Sequence, residues 1–415
     1  MIAARAGAAA PAQPLAAGNG EEMFAAAAPR LIDWFFSEGR FLTDNGELLS
    51  ALCERLAAAG VPLDRASLHL RALHPRYRGV SRIWKPGQPL AQQFLDHGLE
   101  KTATYLESPV REVTRRHRRL DWRLDSGDLL PFAILDELRD AGYVHYVIAP
   151  VPFAAGPVNA LSWATKRPEG FPPEALRLMD ALLPAYSTVA EAKTLVRFVE
   201  TLLSTYVGHE PSQLILDGQI RRGDVRTITA AIMLIDLHDF TMLTNILSPR
   251  AVIRLLNEYF DCVFPPVRGQ GGEVLEIMGD GVLAIFRQAG RDGGRTACRT
   301  ALDAAMQALR ALAERNRRMG SGGPVLQAGL ALHYGTVSYG NIGSGDRLDF
   351  TVIGPDVNLT SRIEQFNRQL DRALIMSQAF AEQLDCPVWE IGHYELRGFA
   401  KRHRLFELPP EDWQL

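Results

Sequence analysis

Little in this chain supports a covalent framework, a membrane span or a polyanionic partner. Its 415 residues hold only four cysteines, Cys53, Cys262, Cys298 and Cys386, far apart and with no C-x-x-C pair. That scatter argues against a disulfide scaffold and a thiolate zinc site, and it fits a reducing compartment. No apolar run approaches the roughly 20 residues that cross a bilayer. The Ala-rich start, MIAARAGAAAPAQPLAAGNG, is broken by Pro and Gly, so residues 1–21 are expected to be a disordered tail and not a signal peptide. Charge of one sign is also scarce. The formal net charge is -3, and no global field recommends nucleic acid or an anionic membrane. The expectation is a soluble, cytoplasmic protein that acts on a small molecule.

The length suffices for two or three domains with separate cores. Residues 22–171 mix helical and strand patterns: Gly46-Glu-Leu-Leu-Ser-Ala-Leu-Cys-Glu-Arg-Leu is amphipathic, while Ala66-Ser-Leu-His-Leu-Arg-Ala-Leu alternates with period two. No acid, histidine or cysteine cluster of catalytic spacing falls there, which suggests a sensory or dimerising module with a small-molecule ligand. An apolar stripe over residues 172–207 predicts a helical connector suited to pairing two subunits, and Pro184 is expected to kink or split it. The same stripe also suits a helix packed on its own domain.

Residues 208–415 read as one domain. A strand over 228–235 precedes a helix opened by Ser248-Pro249, where Ser caps and Pro takes the first turn. A hairpin around Gly279-Asp280-Gly281, a helix over 291–317, a strand over 326–333, a glycine-punctuated ribbon, a strand over 348–353 and a helix from Gly354-Pro355 follow. Strand, helix, hairpin, helix, strand predicts a split βαβ, ferredoxin-like sheet with helices on one face. The fold class expected overall is α+β or α/β.

Two apolar runs end on acids: Ala230-Ala-Ile-Met-Leu-Ile-Asp236, and Glu276-Ile-Met-Gly-Asp280 at the hairpin. An acid there bears a desolvation cost unless a cation or donors offset it. Two aspartates without histidine or cysteine match magnesium with substrate phosphates better than a closed metal cage. Either aspartate alone is also an ordinary turn residue. Asn358 and Arg362, four apart at the start of a helix, share one face, so an amide and a permanent cation would act together there, unless that face is simply solvated. The run Arg115-Arg-His-Arg-Arg119 reads as a solvated helix face, and His238 and His333, without metal-ligand spacing, receive no role.

Together these residues resemble the class III nucleotide cyclases, the adenylate and guanylate cyclases. The resemblance is carried by Leu234-Ile-Asp236-Leu-His-Asp-Phe-Thr241, the run Gly271-Gly-Glu-Val-Leu-Glu-Ile-Met-Gly-Asp280-Gly-Val-Leu-Ala-Ile-Phe286, Gly340-Asn-Ile-Gly-Ser344 and Phe350-Thr-Val-Ile-Gly-Pro-Asp-Val-Asn358-Leu-Thr-Ser-Arg362. Gly218-Gln-Ile-Arg-Arg-Gly223 looks like the lead-in of bacterial members with an N-terminal regulatory domain. The pattern over 143–191 resembles GAF-type domains.

The cyclase resemblance implies that Asp236 and Asp280, with the Leu237 carbonyl, hold two Mg2+ or Mn2+ ions. Asn358 would orient the ribose and Arg362 would stabilise the transition state. Arg397 and Lys401 would reach the triphosphate. The 3′ hydroxyl of a nucleoside triphosphate would attack its own α-phosphate and expel pyrophosphate. Family sites form between two subunits, so a homodimer is implied. Three positions depart from the pattern or bear on the base. Asp239 stands where the family has Gly. Glu276 stands where guanylate cyclases have Glu and adenylate cyclases usually Lys, and a carboxylate accepts from guanine N1–H and its amino group. Glu276 tips the expected substrate towards GTP, provided the strand register aims it at the base. Thr351, at the second base-reading position, can donate or accept and leaves ATP open. A nucleotide-binding module without turnover is the remaining alternative.

Overall fold

Two sets of apolar faces build two units, Met1–Leu202 and Leu203–Leu415. A computed structural model describes residues 20–71, 74–75, 77–288, 290, 292–320, 323–344 and 348–409. The tail expected over 1–21 lies outside the described residues up to residue 19.

The first unit contains α1 (Gly20–Ser37), α2 (Asn45–Ala58), β1 (Arg65–Arg71), β2 (Gly79–Trp84), β3 (Ala91–Leu95), α3 (Ala103–Leu106) and α4 (Pro109–Arg116). It continues with β4 (Leu120–Arg123), α5 (Ala133–Asp140), β5 (His145–Val151), β6 (Asn159–Thr165) and α6 (Pro173–Tyr206). Its sheet is antiparallel, of order β3-β2-β1-β6-β5-β4. The period-two pattern of β1 sends Ala66, Leu68 and Leu70 into a core shared with α1, α2 and α6. On the other face, burial lowers the His69 pKa to about 4, and its Nδ1 lies 2.8 Å from Ser81 Oγ.

The helix expected over 172–207 is α6, and Pro184 does not split it. Leu182, Ala185 and Tyr186 are buried around that proline, so core packing holds the helix across the missing N–H. Up to Ala190 the helix is a wall of this core and not a free-standing connector. Beyond it Leu195, Val196 and Val199 are exposed.

The second unit runs α7 (His209–Leu216), β7 (Val225–Leu237), α8 (Phe240–Ile246), α9 (Pro249–Gly269), β8 (Glu273–Met278), β9 (Gly281–Arg287) and α10 (Gly293–Met319). Then come β10 (Ala328–Gly343), β11 (Leu348–Ile353), α11 (Pro355–Leu370), β12 (Leu374–Ser377), α12 (Gln378–Ala381), β13 (Trp389–Glu395) and β14 (Arg402–Glu407). Strand order is β13-β14-β12-β10-β7-β9-β8, with β11 on β10. The run β10-β7-β9-β8, which ends at one edge, is the split arrangement expected from the pattern.

Met233 and Ile235 of β7 and Leu330 and Leu332 of β10 pack against α9 and α10. The expectation that helices lie on one face is corrected: Leu359 and Ile363 of α11 pack with Ala331, Ile375 and Leu405 in a separate cluster. The cause is topological. Strands β10 and β12 are parallel, a parallel pair needs a crossover, and α11 lies in that crossover on the opposite face. The ribbon expected after residue 333 is instead part of one continuous strand, β10. A Cβ at Gly340 would overlap the Asp224 carbonyl, so this glycine permits close strand approach rather than ending the strand.

Candidate active site

The buried run from Ala230 to Ile235 carries β7 to Asp236, which is half-buried at its end beside the buried Leu237. The β8–β9 turn passes through Gly279 at φ 71°, a left-handed conformation that glycine adopts freely, and brings Asp280 beside Asp236. No side chain intervenes at Gly281, where a Cβ would lie 3.3 Å from Asp236 Oδ1. The Asp236 carboxyl is pushed up to about 7, first by burial and then by the charges of Asp280 and Glu364, with Arg368 opposing. Two carboxylates forced together in this way lack positive charge. The donors are oxygens, so a hard divalent cation such as Mg2+ or Mn2+ fits the pair.

Glu364 and Arg368 belong to this site and are not anticipated from the sequence. Burial and Asp280 raise the Glu364 carboxyl while Arg368 lowers it. Opposite Asp236 on the neighbouring strand stands Gly329, where a Cβ would come 2.9 Å from His238 Nε2 and 3.1 Å from Glu364 Oε1. The absence of a side chain there lets both approach. Burial, then Arg368, lowers the His238 pKa. The signal that could have found the pair is Glu364–Arg368 itself, an acid and a base four apart on a helix.

Helix α11 also carries Asn358 and Arg362. At about 100° per residue, Glu364 lies about 200° around the helix from Arg362. Glu364 faces the aspartates of its own chain, so Arg362 faces away from them and Asn358, about 120° around the helix from Glu364, is turned aside. Asn358 is exposed, and Arg362 Nη1 donates to Gln365 Oε1 at 3.2 Å. Arg397 and Lys401 are exposed in the β13–β14 connection, at the sheet edge opposite β8. The fold thus brings Asp236 and Asp280 together, and Asn358 and Arg362 together, without bringing Arg397 or Lys401 to the aspartates within one chain.

Glu276 and Thr351 do meet: Thr351 Oγ1 donates to Glu276 Oε2 at 2.9 Å. A β-bulge makes this contact. Val274 pairs with Ala284 but Glu276 with Leu283, leaving Leu275 as the extra residue and resetting the direction of Glu276. Asp239 has φ 59° and ψ 21°, so the position favours glycine for its left-handed backbone. Aspartate tolerates that region better than most residues. Its side chain is exposed and lies 3.7 Å from Arg368.

Residues 225–406 match the model of the adenylate and guanylate cyclase catalytic domain. This stretch is a class III nucleotide cyclase domain. An adenylate cyclase of Anabaena cylindrica is 30% identical to the chain over 200 residues, covering 47% of this chain and 38% of that protein. Adenylate cyclase 1 of Rhizobium meliloti (strain 1021) is 31% identical over 209 residues, covering 48% and 30%. The chain therefore spans well under half the length of either relative. The crystal structure of the guanylyl cyclase Cya2 is 28% identical, covers 47% of this chain and 98% of that one, and superposes with a TM-score of 0.40. The cyclase domain begins with β7 and takes in all the acids and bases of this site.

Proposed function

We propose that this chain is a homodimeric purine nucleotide cyclase that prefers GTP and is controlled by its N-terminal unit. The preference rests on the Thr351–Glu276 hydrogen bond. With its proton given to the carboxylate, the Thr351 hydroxyl offers only lone pairs, so the two residues together present acceptors. Guanine supplies N1–H and amino donors to match, whereas adenine N1 requires a donor. A mismatch leaves buried groups unpaired, and such sites discriminate strongly.

Asp236 and Asp280 would hold the divalent cations, with the Leu237 carbonyl beside them. The bound ions supply Lewis acidity and charge neutralisation at the phosphates. Asn358 orients the ribose so that O3′ lies in line with the α-phosphorus. The new O3′–P bond forms as the bond to pyrophosphate breaks, and the 3′ hydroxyl proton passes to water. Arg362 meets the charge that develops on the phosphoryl oxygens. Arg397 and Lys401 serve the triphosphate from the second subunit's surface. The opposed faces of α11 support this division, because one chain cannot turn Asn358 and Arg362 towards its own aspartates while Glu364 faces them.

The two-faced antiparallel sheet of the first unit supports a GAF-like regulatory module with a small-molecule ligand. A second substrate reading, ATP, is favoured by the adenylate cyclase names of the two curated relatives. The test is a cyclase assay with GTP and ATP in competition, repeated on Glu276→Lys. Wild-type preference for GTP, lost in the variant, is expected. An ATP preference unchanged by the substitution refutes the role of Glu276. Equal inactivity of wild type and Asp280→Ala with all common triphosphates in Mn2+ would favour a binding module without turnover.

A further inference from the structure

Asp356 lies two residues before Asn358, in the first turn of α11, and turns inward. Its Oδ2 accepts the Thr336 N–H of β10 at 2.7 Å. Its Oδ1 lies 3.4 Å from Nε2 of His333, longer than a good hydrogen bond but close enough for the imidazole to hold the carboxyl below its usual range. His333 is buried at 4% exposure, and its Nδ1 lies 2.7 Å from Ser377 Oγ at the end of β12. Ser377 Oγ also accepts the Phe380 N–H at 3.2 Å, capping α12. With the Ser377 proton directed to Nδ1 and the imidazole proton on Nε2, each contact holds one proton. Gly335 leaves room for the arrangement: a Cβ there would overlap Asp356 Oδ2 and lie 2.8 Å from His333 Nε2.

Serine, histidine and aspartate in contact invite comparison with a nucleophilic triad. This one is sealed, however. Ser377 is 5% exposed, and its oxygen is committed to the α12 cap. The connection runs from β12 through β10 to the start of α11, which is the geometry of a strut.

We infer that Asp356, braced by His333 and Ser377, is a positioning residue that sets the start of α11 on β10 and so aims Asn358 and Arg362; this rests on the cyclase reading above. Leu359 and Ile363 hold the same part of the helix by apolar contact, which is non-directional and leaves rotation about the helix axis weakly specified. Asn367 Nδ2 donates to the Leu330 carbonyl at 3.1 Å, anchoring the far end. Asp356 is the directional anchor at the near end. A rotation there moves both polar side chains sideways, and a displacement of about 1 Å at a reacting site costs on the order of 100-fold in rate.

The test uses the full chain with Asp356→Ala, Gly335→Ala and, as the conservative variant, Asp356→Asn. Asparagine keeps an acceptor for Thr336 N–H and can meet the other imidazole tautomer. Asp356→Ala and Gly335→Ala are expected to lower kcat about 10- to 100-fold with KM within about 2-fold, and Asp356→Asn to recover most of the loss. Amide hydrogen exchange should rise over residues 356–363 in the two alanine variants, with little change elsewhere. Unchanged kcat in Asp356→Ala, an asparagine variant no better than alanine, or unaltered exchange in α11 overturns the inference. A wild type inactive with every triphosphate sinks the cyclase reading instead, and the exchange measurement still decides the anchor. If Asp356→Ala does not fold, Gly335→Ala carries both measurements.

Discussion

Replacing Asp236 by asparagine should stabilise the metal-free protein at neutral pH while abolishing its response to divalent cations. Folding pushes the Asp236 carboxyl from 3.8 up to about 7. Between those values the folded chain holds a proton that the unfolded chain has released, so stability falls as pH rises through the window and levels off above about 7. Unscreened, the shift amounts to about 4 kcal/mol. The pair is half-exposed, and solvent screening reduces the expected effect to about 1–2 kcal/mol. Asparagine imitates the protonated acid at every pH. The variant should therefore melt roughly 2–8 °C above wild type near pH 8 in EDTA, with the gap closing as pH falls towards 4. Mn2+ should reverse the order by stabilising only the wild type. Its apparent affinity should weaken about tenfold per pH unit below 7, because binding displaces a proton. Calorimetric scans in EDTA and in Mn2+ across that range provide the readout. A variant that gains nothing near pH 8 in EDTA, or a wild type whose carboxyl-linked stability rises through the window, would refute the account of two carboxylates forced together.

Two further expectations follow from α11 and from the connection between β7 and α8. Mixing the separately inactive Asp280→Ala and Arg362→Ala chains should restore cyclase activity to about a quarter of wild type, since random pairing gives half heterodimers with one intact site each; no recovery after confirmed subunit exchange would refute a site shared between chains. Asp239→Val should lose about 1–2 kcal/mol of stability through left-handed backbone strain, whereas Asp239→Gly should change it by less than about 1 kcal/mol, as measured by urea denaturation. Equal stability of the two variants would show that the position is not strained.

Residues whose placement follows from local pattern are legible in the sequence. Asp236 ends an apolar strand, Asp280 sits in a glycine turn, and Asn358 and Arg362 are one helical turn apart. Relations between distant segments are not legible in that way. The pairing of Glu276 with Thr351 depends on the Leu275 bulge, which periodicity cannot show, because one inserted residue reverses the face of everything beyond it. Glu364 escapes notice because the pattern of α11 draws attention to its apolar stripe and to the Asn358 face, while its third face becomes acidic-site lining only when β7 is placed beneath it. His333 looks idle in the sequence because one partner, Ser377, lies 44 residues away and the other, Asp356, on a different element. Gly340 reads as a break but is a close crossing, and Pro184, read as a kink or a break, leaves the helix unbroken.

Helix α11 has a consequence for how the proposed assembly would work as a machine. One helix carries Glu364 on the side of its own chain's two aspartates and Arg362 on the side that the proposal assigns to the neighbouring chain. In the proposed homodimer, turning the helix would move these two groups in opposite senses, so neither centre could be retuned without disturbing the other. The two centres would be geared together, and a signal reaching one α11 would be delivered to both.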